Sequence, residues 1–176
     1  MKIAINGFGR IGRLVYRLMK EDDFFDVVAI NDLSSSEELA YLLRYDTNHR
    51  TYDKDITFDE EDIIVDGKKT RVYSEMDPSN LPWGELGIDL VFECTGKFTK
   101  KEDANKHILA GAKKVLISAP GKGDMKTIVY NVNDDILTSD DIIVSAASCT
   151  TNCLAPIVKV LDDNFGIERG FMTTIH

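Results

Sequence analysis

The sequence predicts an α/β fold with a mostly parallel sheet, and three observations predict it. Short apolar runs of strand length alternate with longer segments of helical period, the rhythm of strands joined by helical crossovers. The first of those runs leads directly into a glycine-rich turn and then a helix. A composition of 43% hydrophobic and 29% charged residues in a 176-residue chain supplies enough apolar surface for one domain with a substantial core, and for part of a second.

Taken in order, Lys2–Asn6 reads as a strand. Residues 10–21 read as a helix with Ile11, Leu14, Val15, Leu18 and Met19 on one face. Asp26–Asn31 is a nearly continuous apolar strand, as burial on both faces requires. Residues 37–44 form a second helix, with Ser34, Ser35 and Ser36 as capping candidates. Residues 63–65 and 70–73 flank Asp66-Gly67, a hairpin turn signal. The parallel rhythm returns with strand 89–93, helix 101–110 and strand 114–118, followed by apolar runs at 127–132 and 142–146. The acidic cluster 59–62 reads as a solvated loop. His49 and His107 read as surface groups on a loop and a polar helix position.

Lys plus Arg number 21 and Asp plus Glu 30, a formal charge of −9. A net acidic surface repels nucleic acid and anionic lipid and argues against both as partners, while leaving room for a locally basic site that takes a small anion. Met1 and Lys2 run straight into Ile3-Ala4-Ile5, too short for a secretory core, and no apolar run is long enough for a bilayer. Three cysteines, Cys94, Cys149 and Cys153, at irregular spacing argue against a disulfide framework and for a reducing compartment, the cytoplasm.

Gly7-Phe8-Gly9-Arg10-Ile11-Gly12 fits G-x-G-x-x-G between a strand and a helix. The first glycine makes the tight turn, the second lets the backbone approach a pyrophosphate, and the third lets helix and strand pack closely. The helix start attracts the phosphates, and Arg10 adds positive charge beside them. Asp32 ends the second strand, 20 residues after Gly12. An acid there accepts from a ribose hydroxyl and repels a 2′-phosphate, so NAD is favoured over NADP. The plainer alternative is an ordinary tight turn, with Asp32 capping a loop.

Ser148-Cys149-Thr150-Thr151-Asn152-Cys153 precedes the helical pattern 157–161 and reads as the first turn of a helix. A cysteine there feels the positive end of the helix dipole, which favours thiolate. Pro156 inside the pattern removes one backbone bond. Buried packing is the competing reading, and Cys153 fits it well. A metal set of Cys149, Cys153 and His176 matches no standard zinc spacing and lacks a fourth ligand, so no metal is expected. Residues 170–175 read as an apolar strand that ends at His176.

Residues 6–13 (Asn-Gly-Phe-Gly-Arg-Ile-Gly-Arg), Leu81-Pro82-Trp83-Gly84, Thr95-Gly96-Lys97-Phe98, Ser118-Ala119-Pro120, 147–156 (Ala-Ser-Cys-Thr-Thr-Asn-Cys-Leu-Ala-Pro) and Met172-Thr173-Thr174-Ile175-His176 together resemble the glyceraldehyde-3-phosphate dehydrogenase family along the whole chain. The resemblance implies a Rossmann-type doubly wound sheet over residues 1–147, binding NAD, and the start of a catalytic domain over 148–176. It implies Cys149 as the nucleophile on an aldehyde and His176 as its base. Ser148, Cys149 and Thr150 match positions that touch substrate or phosphate. Arg10, Ile11, Asp32, Gly96 and Ser118 match cofactor contacts beside Gly7, Gly9 and Gly12.

The sequence departs from the family pattern at Met76, where an arginine is usual on the adenine side of the pocket, and at Arg50, where a glycine is usual. A contact made only by the Met76 backbone survives that exchange. Family chains are longer, which implies that the natural chain continues and that this portion is inactive alone. The implied activity is the NAD-dependent, phosphate-consuming oxidation of glyceraldehyde 3-phosphate in the cytoplasm by a homotetramer. An erythrose-4-phosphate dehydrogenase is the close alternative, and a dinucleotide-binding or oligomerising module without catalysis is the alternative from another class.

Overall fold

The apolar first run becomes β1 (Lys2–Asn6), buried from its second residue onward, in a computed structural model that describes residues 1–175. After the glycine turn come α1 (Arg10–Met19) and β2 (Asp26–Asn31). The helix α2 (Ser36–Arg44) starts from a reciprocal cap. The Ser35 hydroxyl accepts from the Glu38 N–H, and the Glu38 carboxylate accepts from the Ser35 N–H. Three short strands follow, β3 (Ile56–Phe58), β4 (Asp62–Val65) and β5 (Lys68–Tyr73). Asp66 and Gly67 join β4 to β5 with φ of 50° and 77°, the two left-handed residues that a tight hairpin demands. The rest comprises α3 (Trp83–Leu86), β6 (Leu90–Glu93), α4 (Lys101–Leu109), β7 (Lys114–Ile117), β8 (Ile143–Ser145) and α5 (Cys149–Phe165).

Among the described residues, all eight strands join one sheet in the order β3-β4-β5-β2-β1-β6-β7-β8. From β5 to β8 the pairs are parallel, and only the β3–β4 and β4–β5 pairs are antiparallel, so that β4 alone runs against the other strands at the β5 edge. The chain builds outward from β1 through β2 to β5, then returns to β1 and builds the other way through β6. That reversal between β1 and β6 opens a crevice at the carboxyl ends of the strands, the place where ligands bind in doubly wound sheets.

Each face of the sheet has its own core. Ile3 and Ile5 of β1 face Tyr16 and Met19 of α1 and Leu39 and Leu43 of α2, whereas Ala4 between them faces the cluster of Trp83, Ile88, Val91, Ala104 and Val115. This two-residue alternation lets one strand serve both layers. Each fully buried Ile or Leu contributes about 2 kcal/mol, so truncating Leu43 costs at least that much.

Several sequence expectations change. The α1 face turned to the sheet is Gly12, Tyr16 and Met19, while Ile11 and Leu18 are exposed. Close approach at Gly12 rotates the helix so that Tyr16 reaches Phe8 edge-on and bonds Thr70. Residues 127–132 form no strand, only an isolated bridge from Thr127 to Ser145 and a turn. Residues 170–175 form none either. The acidic cluster is partly structural. Asp62 is buried at the start of β4, and Asp59 caps the turn before it by accepting from the Glu61 and Asp62 N–H groups. His107 is fully buried, and Cys153 is exposed rather than packed.

Candidate functional site

The crevice predicted by the topology is a groove of about 290 Å³ lined by Asn6, Gly7, Gly9, Asn31, Asp32, Leu33, Glu75, Met76, Cys94, Thr95, Lys97 and Phe98. Its walls are the loops leaving β1, β2, β5 and β6. Gly7, Gly9, Asp32 and Met76 of the sequence-derived set therefore meet in one place.

The three glycines of the turn differ in what they make room for. Gly7 has φ of 90°, and a Cβ there would lie 2.7 Å from the Thr95 nitrogen. A Cβ on Gly12 would lie 2.2 Å from the Gly7 carbonyl oxygen. Both are required by the chain's own packing, and Gly12 sits behind the turn rather than on the groove wall. Gly9 is different: nothing lies within 4 Å of its Cβ position. The protein's packing does not need a glycine there, and the space over the turn is open to a ligand. Gly9 is also the residue that precedes α1, and among the described residues no side chain caps that helix end. The unpaired N–H groups of such a helix end are anion donors. These features fit a dinucleotide's pyrophosphate.

Asp32 is anchored before any ligand arrives. Its Oδ2 accepts from the Phe8 N–H at 2.7 Å and its Oδ1 from the Ser34 N–H at 3.1 Å. The carboxylate thus ties the glycine turn to the end of β2, and its remaining lone pairs suit a ribose hydroxyl. Below the groove, Asn31 donates to Asn6 Oδ1 at 2.7 Å and its own Oδ1 accepts from the Glu75 N–H at 2.8 Å.

The cysteine lies three strand positions from β1, about 14 Å along the same carboxyl edge by ordinary strand spacing. β8 ends at Ser145, and Ala147 takes φ of 61°, a strained turn for a residue with a Cβ. Local bonds hold it. The Ser145 hydroxyl accepts from the Ala147 N–H, and Asn152 Nδ2 donates to the carbonyls of Ala146 and Ser148. Ser148 then caps α5 by accepting from the Thr151 N–H at 3.0 Å. Cys149 is the first helical residue, exposed, with no acid in the first turn. Pro156 is accommodated inside α5.

Comparison with known proteins decides the family. Residues 1–101 match the family model described as glyceraldehyde 3-phosphate dehydrogenase, NAD binding domain, and residues 148–176 match the C-terminal domain of the same family. The chain belongs to the glyceraldehyde 3-phosphate dehydrogenase family. A glyceraldehyde-3-phosphate dehydrogenase of Clostridium pasteurianum is 58% identical over 175 residues, covering 99% of this chain and 52% of the relative. Glyceraldehyde-3-phosphate dehydrogenase 2 of Bacillus subtilis is 55% identical over 177 residues, covering 100% of this chain and 52% of the relative. Glyceraldehyde-3-phosphate dehydrogenase 1 of Candida glabrata is 53% identical over 177 residues, covering 100% of this chain and 53% of the relative. The chain spans about half the length of the curated relatives it matches.

In this glyceraldehyde 3-phosphate dehydrogenase family member, Arg10 and Ile11 are exposed on the first turn of α1, outside the groove lining. Gly96 has φ of 71° in the loop after β6, and Met76 is 78% exposed on the rim. Ser118 lies close enough to Cys94 to draw its thiol down. Burial still pushes the Cys94 thiol up to about 11, which makes it inert near neutral pH. His176 lies outside the described residues. Asn6, Asn31, Thr95, Lys97 and Phe98 also line the groove; none of them is given a site role by the sequence alone, although Asn6, Thr95, Lys97 and Phe98 lie in motifs that carry the family resemblance. A further signal is that Asn6 and Asn31 are polar residues closing otherwise apolar strands. A wider hollow of about 710 Å³ lies between α2 and β3, but it holds neither the glycine turn nor Asp32. Among the described residues no group of three or more His, Cys, Asp or Glu is placed to hold a metal ion, and no helix is long and apolar enough to cross a membrane.

Proposed function

We propose that this chain carries the dinucleotide-binding part and the nucleophilic cysteine of an enzyme that oxidises glyceraldehyde 3-phosphate with NAD and inorganic phosphate to 1,3-bisphosphoglycerate. The dinucleotide-binding unit spans residues 1–147, and 148–176 begin the catalytic domain. The observation that carries the reading is the uncapped amino end of α1 opening on a groove where Gly9 leaves unfilled space.

Gly7 and Gly9 with the first turn of α1, including Arg10, Ile11 and Gly12, hold the pyrophosphate. Asp32 takes the adenosine ribose, Met76 offers its backbone to the adenine, and Gly96 and Ser118 continue the pocket toward β8. When bound, NAD supplies the acceptor for the hydride that leaves the substrate carbon. The Cys149 sulfur attacks the aldehyde carbon to give a thiohemiacetal. The free N–H groups at the start of α5, that of Cys149 among them, face the oxyanion that forms. His176 takes the proton. Loss of the hydride leaves a thioester on Cys149. Inorganic phosphate then attacks its carbonyl carbon, the carbon–sulfur bond breaks, and the acyl phosphate leaves with Cys149 regenerated. Ser148 and Thr150 flank the phosphate and substrate. The family resemblance favours a cytoplasmic homo-oligomer for the full-length form, and the formal charge of −9 disfavours nucleic acid as a partner.

The test is calorimetric titration with NAD of the wild type and of Gly9→Ala. The variant is expected to keep its melting temperature, because its methyl meets no protein atom, and to bind NAD at least about tenfold more weakly. Equal affinities remove the pyrophosphate from the Gly9 turn and with it this reading.

A further inference from the structure

The floor of the groove rests on a buried polar chain that the proposed chemistry does not use. Trp83 in α3 donates its indole N–H to His107 Nδ1 of α4 at 3.1 Å. His107 Nε2 lies 3.0 Å from Glu93 Oε2 at the end of β6. The same Oε2 accepts from Asn6 Nδ2 at 2.6 Å, and Oε1 accepts from the Thr95 N–H at 2.8 Å and from the Thr95 hydroxyl. Trp83, His107, Glu93 and Asn6 are each at most 1% exposed.

The chemistry of the donors fixes the arrangement. An indole N–H only donates, so Nδ1 of His107 accepts and carries no proton. Nε2 therefore bears the ring's hydrogen and donates it to Glu93. Every polar atom in the chain is then matched, with Glu93 accepting from His107, Asn6 and Thr95. A buried carboxylate needs all of these partners, because an unmatched one costs far more than a lost surface bond.

Three groove-lining residues hang from this chain: Asn6 and Thr95 through Glu93, and Phe98, whose ring sits edge-on to the His107 imidazole at 6.4 Å. We propose that His107 is a positioning residue of the dinucleotide groove. Through Glu93 it sets the loop after β6 against the glycine turn. Gly7 has no slack there, since its Cβ position already touches the Thr95 nitrogen. This inference rests on the dinucleotide reading above.

The test is titration of NAD against wild type, His107→Gln, His107→Leu and Glu93→Gln. Glutamine offers one acceptor to the indole and one donor to Glu93, so His107→Gln is expected to bind NAD within about threefold of wild type. His107→Leu orphans the Trp83 indole N–H and strips Glu93 of one of its partners, and Glu93→Gln turns an acceptor into a donor facing Asn6 or Thr95. Each of these is expected to weaken binding at least about tenfold. Trp83 is the only tryptophan, so its emission checks that each variant retains its core. Leucine binding as tightly as wild type, or glutamine weakening as much as leucine, overturns the positioning role. Should His107→Leu not fold, nitrogen NMR of wild-type His107 decides. A neutral ring protonated on Nε2 is expected, and a proton on Nδ1 overturns the relay. A wild type that does not bind NAD overturns the dinucleotide reading itself.

Discussion

The helices α1 and α5 each begin where a parallel strand ends, yet the rest of the chain packs only α1. Gly12, Tyr16, Arg17 and Met19 of α1 are buried, whereas α5 has no buried residue along its whole length. Their first turns are opposites as well. The α1 end has no side-chain cap and opens on a groove, while at the α5 end Ser148 takes the Thr151 N–H and Asn152 braces the turn. The contrast teaches that the dinucleotide groove is set by tertiary packing and the cysteine turn by local bonds.

The largest way to break that comparison is Gly12→Ala. Its methyl would meet backbone at 2.2 Å, so a loss of about 3 kcal/mol or more is expected in urea unfolding. Val160→Thr in α5, 61% exposed, is expected to change stability by less than about 0.5 kcal/mol. Similar losses at both sites erase the difference between the helices.

The second is the reactivity of the thiols. Cys94, held near 11, is ionised in about one molecule in ten thousand at pH 7. Cys149 is exposed at a helix start, and its alkylation by iodoacetamide is expected to be at least about a hundredfold faster. Equal rates by mass spectrometry contradict the picture of a presented sulfur.

A third is the response to alkali. Burial raises both the Cys94 thiol, from 9.0 to about 11, and the Tyr16 hydroxyl. Both groups are neutral when protonated, so at high pH the unfolded chain has released protons that the folded chain keeps. The Cys94 contribution is whole below pH 9.0 and is lost as pH climbs toward 11, and that of Tyr16 is lost at still higher pH. A decline on the order of 2 kcal/mol is expected over that window for Cys94 alone. Cys94→Ala is expected to flatten it, and an unchanged slope assigns the decline elsewhere.

The smallest effect concerns the ribose. Asp32→Ala is expected to lower the preference for NAD over NADP by about tenfold, read from the two dissociation constants. An unchanged ratio limits Asp32 to tying down the Phe8 and Ser34 N–H groups.

What the sequence disclosed follows the same division. Local signals carried β1, β2, the Asp66-Gly67 hairpin, the glycine turn and the helix start at Cys149, because each is written in adjacent residues. The buried His107 was not legible, since its partners Trp83 and Glu93 come from other elements. Ile11 and Leu18 passed for core because the helical period gives a face but not its rotation, which the contact at Gly12 decides. Residues 127–132 are apolar enough for a strand, but their turn at Asn131, with φ of 59°, leaves only one bridge to the sheet.

The most direct measurement is a crystal structure of the chain grown with NAD. The pyrophosphate is expected over Gly7 and Gly9 at the amino end of α1, with the adenosine ribose hydrogen-bonded to Asp32. A dinucleotide seated instead in the hollow between α2 and β3, with the glycine turn bare, contradicts the account.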